Sequence, residues 1–172
     1  KIPTSVYDNL ISAVHKYLPL MHRYVKIRKK ILGLDELHPY DLYAPLADDS
    51  DMKISYEKAK KTVVKALAPM GEEYISALKE GLEGGWIDVY ENSGKRGGAY
   101  SWGTYSCHPY VLLNHNDTLN SMFTLCHEMG HALHSYFTWK KQPYIYSGHK
   151  IFVAEVASTC NEALLMEYML KV

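Results

Sequence analysis

The segment TLCHEMGHALHS, residues 124 to 135, constrains the fold of this chain more than any other feature. Apolar residues recur around it at three- and four-residue steps, which predicts a helix over residues 118–137 with Asp117 as its N-cap. At about 100° per residue, His127 and His131 share one face of that helix, one turn apart. Both rings can therefore reach a single zinc ion, which binds histidine nitrogen at about 2.0–2.1 Å.

Glu128 projects from the flank of the histidine pair, where its carboxylate can reach a water molecule on the metal. This is the arrangement of the His-Glu-x-x-His motif, in which the glutamate is the general base of a metalloprotease. His134 lies on the same face but about 10 Å along the axis from His127, at 1.5 Å per residue. It cannot join the same tetrahedral site, so we predict a structural or ligand-supporting role for it.

A catalytic zinc site needs a third protein ligand and an open coordination position. The last predicted helix, from about residue 150 to the end, offers Glu155, Glu162 and Glu167. Glu155 is flanked by apolar and small residues, where an unpaired carboxylate is costly, so a cation partner is expected. Glu162 lies two turns further along the same face and is suited to hydrogen-bond the far nitrogen of a ligating histidine. An ordinary salt-bridged or solvated acid is the alternative at both positions.

The chain as a whole is predicted to be mainly α-helical with a small β-sheet, in a single catalytic-domain fragment. A helical lead-in spans residues 1–80, a glycine-rich loop and an edge strand span 81–116, and the ligand helices span 117–172. Within the lead-in, a helix is predicted over 4–32, capped by Thr4 or Ser5, kinked or broken at Pro19 and stopped at Gly33. Residues 35–53 are predicted to form a loop. Two further helices follow, one opening at Ser55 and one in EEYISALKEGL.

Composition excludes several classes of function. The 19 basic and 19 acidic residues give a formal net charge of zero, which argues against binding to nucleic acid or to an anionic membrane surface. No apolar run approaches the length of a membrane span. The three cysteines are odd in number and widely spaced, which favours a reducing, cytoplasmic location over a disulfide framework. Cys126 falls on the apolar stripe and is predicted to be an inert buried thiol.

Three segments together resemble a known family. HEMGHALHS and FVAEVASTCNEALL, preceded by GKRGGAYSWGTYSCHPYVLLN, are similar to the oligoendopeptidase F branch of the thimet-oligopeptidase-like zinc metallopeptidases. The likeness extends from about Asp88 to Met169. It implies the zincin-type catalytic region of a large helical oligopeptidase with a deep cleft for short peptides. It also implies one zinc ion per chain, held by His127, His131 and Glu155.

The resemblance implies a zinc-dependent metalloendopeptidase that hydrolyses short oligopeptides, with Glu128 activating the water on the metal. In similar peptidases, a strand before the metal helix forms the substrate edge, a role that falls here to Tyr110, Val111, Leu112 and Leu113. An apolar strand of this kind is also compatible with a plain core position.

The family's transition-state tyrosines and histidine come from a segment beyond Val172. The chain is therefore expected to be a piece of a longer polypeptide, and the fragment alone need not be active. Two alternatives stay open at this point: a helical module with a structural zinc site completed by His134 or a cysteine, and a helical binding module without metal. The sequence leaves the oligomeric state undetermined.

Overall fold

The computed structural model of the chain describes residues 2–46 and 52–172. It comprises two compact units, Lys1–Asp51 and Met52–Val172, which are described separately. The helices and strands are α1 (Ser5–Ile31), α2 (Tyr56–Ala66), α3 (Glu72–Glu83), β1 (Ile87–Asp88), β2 (Tyr100–Trp102), β3 (Tyr110–Leu112), α4 (Leu119–Lys141) and α5 (Ile151–Met169). This order confirms the predicted mainly helical fold with a small sheet. None of the described helices combines the length and the apolarity needed to cross a membrane.

Helix α1 dominates the first unit and continues through Pro19 as one element. The predicted break at this proline is therefore wrong, because the remaining turns of a long helix outweigh the loss of one backbone hydrogen bond. The predicted stop at Gly33 is confirmed. Gly33 has a φ of 65°, its N–H donates to the Lys30 carbonyl, and the Leu34 N–H donates to the Lys29 carbonyl. These two bonds form a Schellman C-terminus, which a glycine without a Cβ adopts readily.

The segment after α1 folds back onto the same helix. Thr4, at the N-cap position of α1, makes no side-chain capping bond. At the other end, the Arg28 guanidinium donates to the carbonyls of Asp41 (2.9 Å) and Ala44 (2.5 Å). These bonds hold a short 3₁₀ turn, Pro39–Tyr43, inside the predicted loop. The part of that loop at 47–51 lies outside the described residues.

Helix α4 forms the centre of the second unit. Met122, Leu125, Met129 and Leu133 on its apolar side are fully buried, as the three- and four-residue spacing predicts. They pack in one core with residues of α2, α3, α5 and the small sheet. The polar side of the same helix is thereby left facing a cleft.

The boundaries of α4 differ from the prediction at both ends. Asp117 is not the N-cap: it has a φ of 60°, and the Thr118 hydroxyl accepts the capping bond from the Ser121 N–H at 3.1 Å. The helix also runs to Lys141, one turn beyond the predicted end. It stops where Pro143 disfavours the helical conformation of the residue before it, and Gln142 is accordingly extended.

The three strands pair in the order β1-β3-β2, with β1 parallel and β2 antiparallel to β3. Strand β3 is therefore central among the described residues, and the prediction that Tyr110, Val111, Leu112 and Leu113 form an edge is wrong. Val111 and Leu113 are each 2% exposed and belong to the core, which is why their apolar character does not mark a substrate edge. The outer strand next to the ligand helix is β2, in a region predicted as loop.

Helices α4 and α5 are in close backbone contact at Gly130. A Cβ on this residue would lie 2.7 Å from the Ser158 Cα and 2.9 Å from the Ala157 carbonyl oxygen. Both contacts are with backbone, which can yield only if the two helices move apart.

Replacing Gly130 with alanine is therefore expected to destabilise this unit. The overpacking cost, about 1–3 kcal/mol, should exceed the gain in helix propensity of about 0.5–1 kcal/mol. Thermal unfolding of the intact natural protein measures the difference. Gly97→Ala is the matched control, because a Cβ there meets nothing within 4 Å. A melting temperature for Gly130→Ala equal to that of the control would contradict the close contact.

Candidate metal centre

Three side chains from the two packed helices converge on one point. His127 and His131 project from α4, and their Nε2 atoms lie 3.0 Å apart. Glu155 projects from α5, and its Oε2 lies 3.6 Å from the first of these nitrogens and 3.5 Å from the second. Among the described residues, this is the group of histidine, cysteine and acidic donors close enough to share an ion.

The spacing of these donors matches the size of a small divalent metal. A tetrahedral ion bound at about 2.0–2.1 Å holds neighbouring ligand atoms roughly 3.3–3.4 Å apart. The three observed distances of 3.0, 3.5 and 3.6 Å bracket that value. Two nitrogens and one carboxylate oxygen are also donors that zinc accepts. The residues present therefore fit a metal ion with three protein ligands.

Glu162 contacts the opposite nitrogen of His127. Its Oε1 lies in very short hydrogen-bond contact with the His127 Nδ1. When Nδ1–H donates to this carboxylate, the neutral ring carries its lone pair on Nε2, the atom that faces the other donors. The supporting role of Glu162 stays a prediction, and this contact is the one that such a role requires.

His131 is set for metal binding by burial. Desolvation lowers the pKa of its imidazole, and the nearby Glu155 carboxylate opposes that change. The neutral ring is the form that offers a lone pair. Burial therefore favours the ligating form of His131 at neutral pH.

Glu128 lies beside the ligands with its carboxylate shielded from solvent. The residue is 7% exposed, and its Oε2 has no hydrogen-bond partner among the described residues. Burial raises the pKa of Glu128, while the His127 ring and the Ser101 backbone oppose the rise. It lines a cleft of about 380 Å³ together with Phe123, His127 and Glu162. A buried carboxylate with an unused oxygen beside these three donors is suited to exchange a proton.

His134 does not join the converging donors. Its ring stacks on His149, from the connection before α5, with centroids 4.2 Å apart. Its Nδ1 is buried and has no hydrogen-bond partner within the described part of the chain, and burial lowers the pKa of the ring. The structural-zinc alternative that used His134 as a fourth ligand is thus not supported by its position.

Two polar residues of α5 that sequence reasoning missed organise the centre. The Ser158 hydroxyl lies 3.0 Å from the Glu155 Oε2. Asn161 is fully buried: its Nδ2 donates to the Cys126 carbonyl at 3.1 Å, and its Oδ1 accepts from the Tyr74 hydroxyl at 2.9 Å. The three-residue spacing from Glu155 is a sequence signal that could have identified Ser158. Asn161 has no such local signal, because its contacts are with Cys126 and Tyr74, far away in the sequence.

Comparison with known proteins places these residues in a family context. The profile of Peptidase family M3 matches residues 1–172. The oligopeptidase PepF of Bacillus subtilis (strain 168) is 61% identical over 169 residues, 98% of this chain and 25% of that protein. An oligoendopeptidase F homolog of Lactococcus lactis subsp. lactis (strain IL1403) is 51% identical, over 99% of this chain and 28% of that protein. The chain spans about a quarter of the length of these curated relatives.

Solved structures share the fold. A Chlamydophila abortus protein superimposes with a TM-score of 0.86 at 48% identity, covering 99% of this chain and 29% of that one. The oligoendopeptidase-F of Enterococcus faecium gives a TM-score of 0.59 at 36% identity, covering 99% of this chain and 22% of that one.

Cys126, which directly precedes His127, is expected to be chemically inert. Burial raises the pKa of its thiol to about 12, so almost no thiolate forms at neutral pH. Iodoacetamide should leave Cys126 unmodified in the native protein and alkylate it after denaturation, as peptide mass mapping can show. Rapid native alkylation of this residue would contradict the buried, core-facing position.

Proposed function

Because this chain belongs to peptidase family M3, as the motifs predicted, we propose that it forms the zinc-binding catalytic core of an endopeptidase that cleaves short oligopeptides. The observation that carries the proposal is the convergence of His127, His131 and Glu155 beside the buried carboxylate of Glu128. Relatives named oligopeptidase and oligoendopeptidase support the substrate class.

The three converging residues would hold one zinc ion. Zinc, when bound, acts as a Lewis acid that lowers the pKa of water and polarises a carbonyl group. The chain's part is to supply the donors in their ligating forms. Burial lowers the pKa of His131, which favours its neutral form, and the Glu162 carboxylate accepts a hydrogen bond from the Nδ1–H of His127.

Glu128 is proposed to move the proton in the hydrolytic step. Its carboxylate accepts a proton from the attacking water and delivers it to the amine that leaves. Burial supports this role, because a raised pKa brings the carboxylate closer to the working pH, where proton transfer in both directions is efficient. The Oε2 has no hydrogen-bond partner among the described residues, so this acceptor is not already used by the protein.

Strand β2 is the better candidate for the substrate edge that the sequence assigned to β3. It pairs with β3 on one side only among the described strands. Ser101, at its centre, has its backbone beside the Glu128 carboxylate. A peptide added to the outer side of β2 would therefore run past the general base.

A catalytic zinc site explains the geometry better than a structural one. A structural site is closed by four protein ligands, whereas three donors converge here and the cleft beside them is open. The Glu155 side chain is 53% exposed, which leaves solvent access to the centre. The proposed location is the cytoplasm, supported by three cysteines that all remain free thiols.

Glu128→Gln is expected to abolish peptide hydrolysis while zinc stays bound. The amide keeps the shape of the side chain but cannot accept the proton, so a loss of about 100-fold or more in kcat is expected. The assay uses the intact natural protein with a fluorogenic oligopeptide, and zinc content is measured on the same sample. Retained hydrolysis at the wild-type rate would remove Glu128 from the mechanism.

Zinc retention should distinguish Glu155 from Glu162. Glu155→Ala removes a metal donor, whereas Glu162→Ala removes only a hydrogen bond to His127, a change that typically costs about 10–100-fold in affinity. Titration of each intact variant against a competing chelator should therefore show the greater loss for Glu155→Ala. Equal affinities for the two variants would exclude Glu155 as the third ligand.

A further inference from the structure

The Glu155 carboxylate has a dedicated hydrogen-bond donor on its own helix. The Ser158 hydroxyl lies 3.0 Å from Oε2, the same oxygen that faces the Nε2 atoms of His127 and His131. The hydroxyl also lies 3.1 Å from the Glu155 backbone carbonyl oxygen. A hydroxyl has one proton, and the charged carboxylate is the stronger acceptor of the two.

The donor is buried at a contact between the two helices. Ser158 is 0% exposed, and its Cα lies 2.7 Å from the position of a Cβ on Gly130. The helices cannot move closer at this point, and burial restricts the space in which the hydroxyl can rotate.

The acceptor, by contrast, is not fixed by packing. The Glu155 side chain is 53% exposed and has three rotatable bonds, so solvent-facing rotamers compete with the one that points at the imidazoles. A hydrogen bond from a buried donor favours one of these rotamers before a metal binds. This is the preorganisation that a binding site gains from a supporting residue.

Packing alone does not require the hydroxyl. The close approach of α4 and α5 demands a small residue at position 158, which alanine satisfies with better helix propensity than serine. The oxygen is therefore the part of Ser158 that serves the carboxylate. The neighbouring Thr159 shows the contrast, because its exposed hydroxyl donates only to the Glu155 backbone carbonyl.

We propose that Ser158 is a positioning residue that holds the Glu155 carboxylate toward His127 and His131 and thereby raises the affinity of the centre for zinc. The proposal rests on the zinc site of the proposed function. It assigns Ser158 no contact with the metal or the substrate.

The test compares Ser158→Ala with Thr159→Ala in the intact natural protein. Zinc affinity is measured with Zn²⁺ and a competing chromophoric chelator, and the melting temperature is measured on the metal-free proteins. Ser158→Ala should raise the dissociation constant for zinc about tenfold or more, while Thr159→Ala should leave it at the wild-type value. Both metal-free variants should melt like the metal-free wild type, because alanine fills the same helical position.

The outcomes distinguish a failure of the Ser158 proposal from a failure of the proposed zinc site. Wild-type zinc affinity in Ser158→Ala overturns the positioning role while leaving the zinc site intact. A weaker zinc affinity together with a lower melting temperature of the metal-free Ser158→Ala protein also overturns it, because the residue would then stabilise the fold and not position the carboxylate. Absence of zinc binding in the wild type would overturn the zinc site itself, and the role of Ser158 with it.

Discussion

The close crossing of α4 and α5 at Gly130 is the constraint on which the rest of the centre depends. With no side chain there, the backbone around Ser158 comes within contact distance of the partner helix. Asn161 then donates a hydrogen bond to the carbonyl of Cys126, the residue before His127. The contact at Gly130 and the Asn161 hydrogen bond together set the separation and the register of the two helices.

That register gives the acids of α5 different tasks. Glu155 and Glu162 are seven residues apart and lie on one face, so both approach the same histidine. One reaches toward Nε2 and the other toward Nδ1 of His127. Because a carboxylate lies near each of the two nitrogens, the orientation of the His127 ring is restricted from both sides. A metal-binding histidine would need such a restriction. Glu128, on the α4 side of the cleft, has one carboxylate oxygen without a hydrogen-bond partner in residues 2–46 and 52–172.

The sequence predicts what depends on local periodicity. Helical spacing alone places His127 beside His131 and buries the apolar side of α4, and a glycine ends α1 where expected. It fails where distant segments decide. Strand β3 is central because β2, from a glycine-rich segment, pairs with its second side. The local sequence of Tyr100–Trp102 does not predict a strand there. Thr118 and not Asp117 is the N-cap, because the turn into α4 places the Asp117 backbone at a positive φ. The role of Asn161 likewise depends on tertiary contacts, with Tyr74 and Cys126, that no local pattern predicts.

The hydrogen bond from Tyr74 to Asn161 limits how small a designed peptide with this centre can be. Tyr74 belongs to α3, which supplies none of the converging donors, yet it satisfies the amide that ties α5 to α4. A two-helix peptide copied from α4 and α5 would expose that amide to water and free the helices to slide. A miniature metallopeptide based on this chain would need a third helix, or a surrogate for its phenol, as part of its smallest working scaffold.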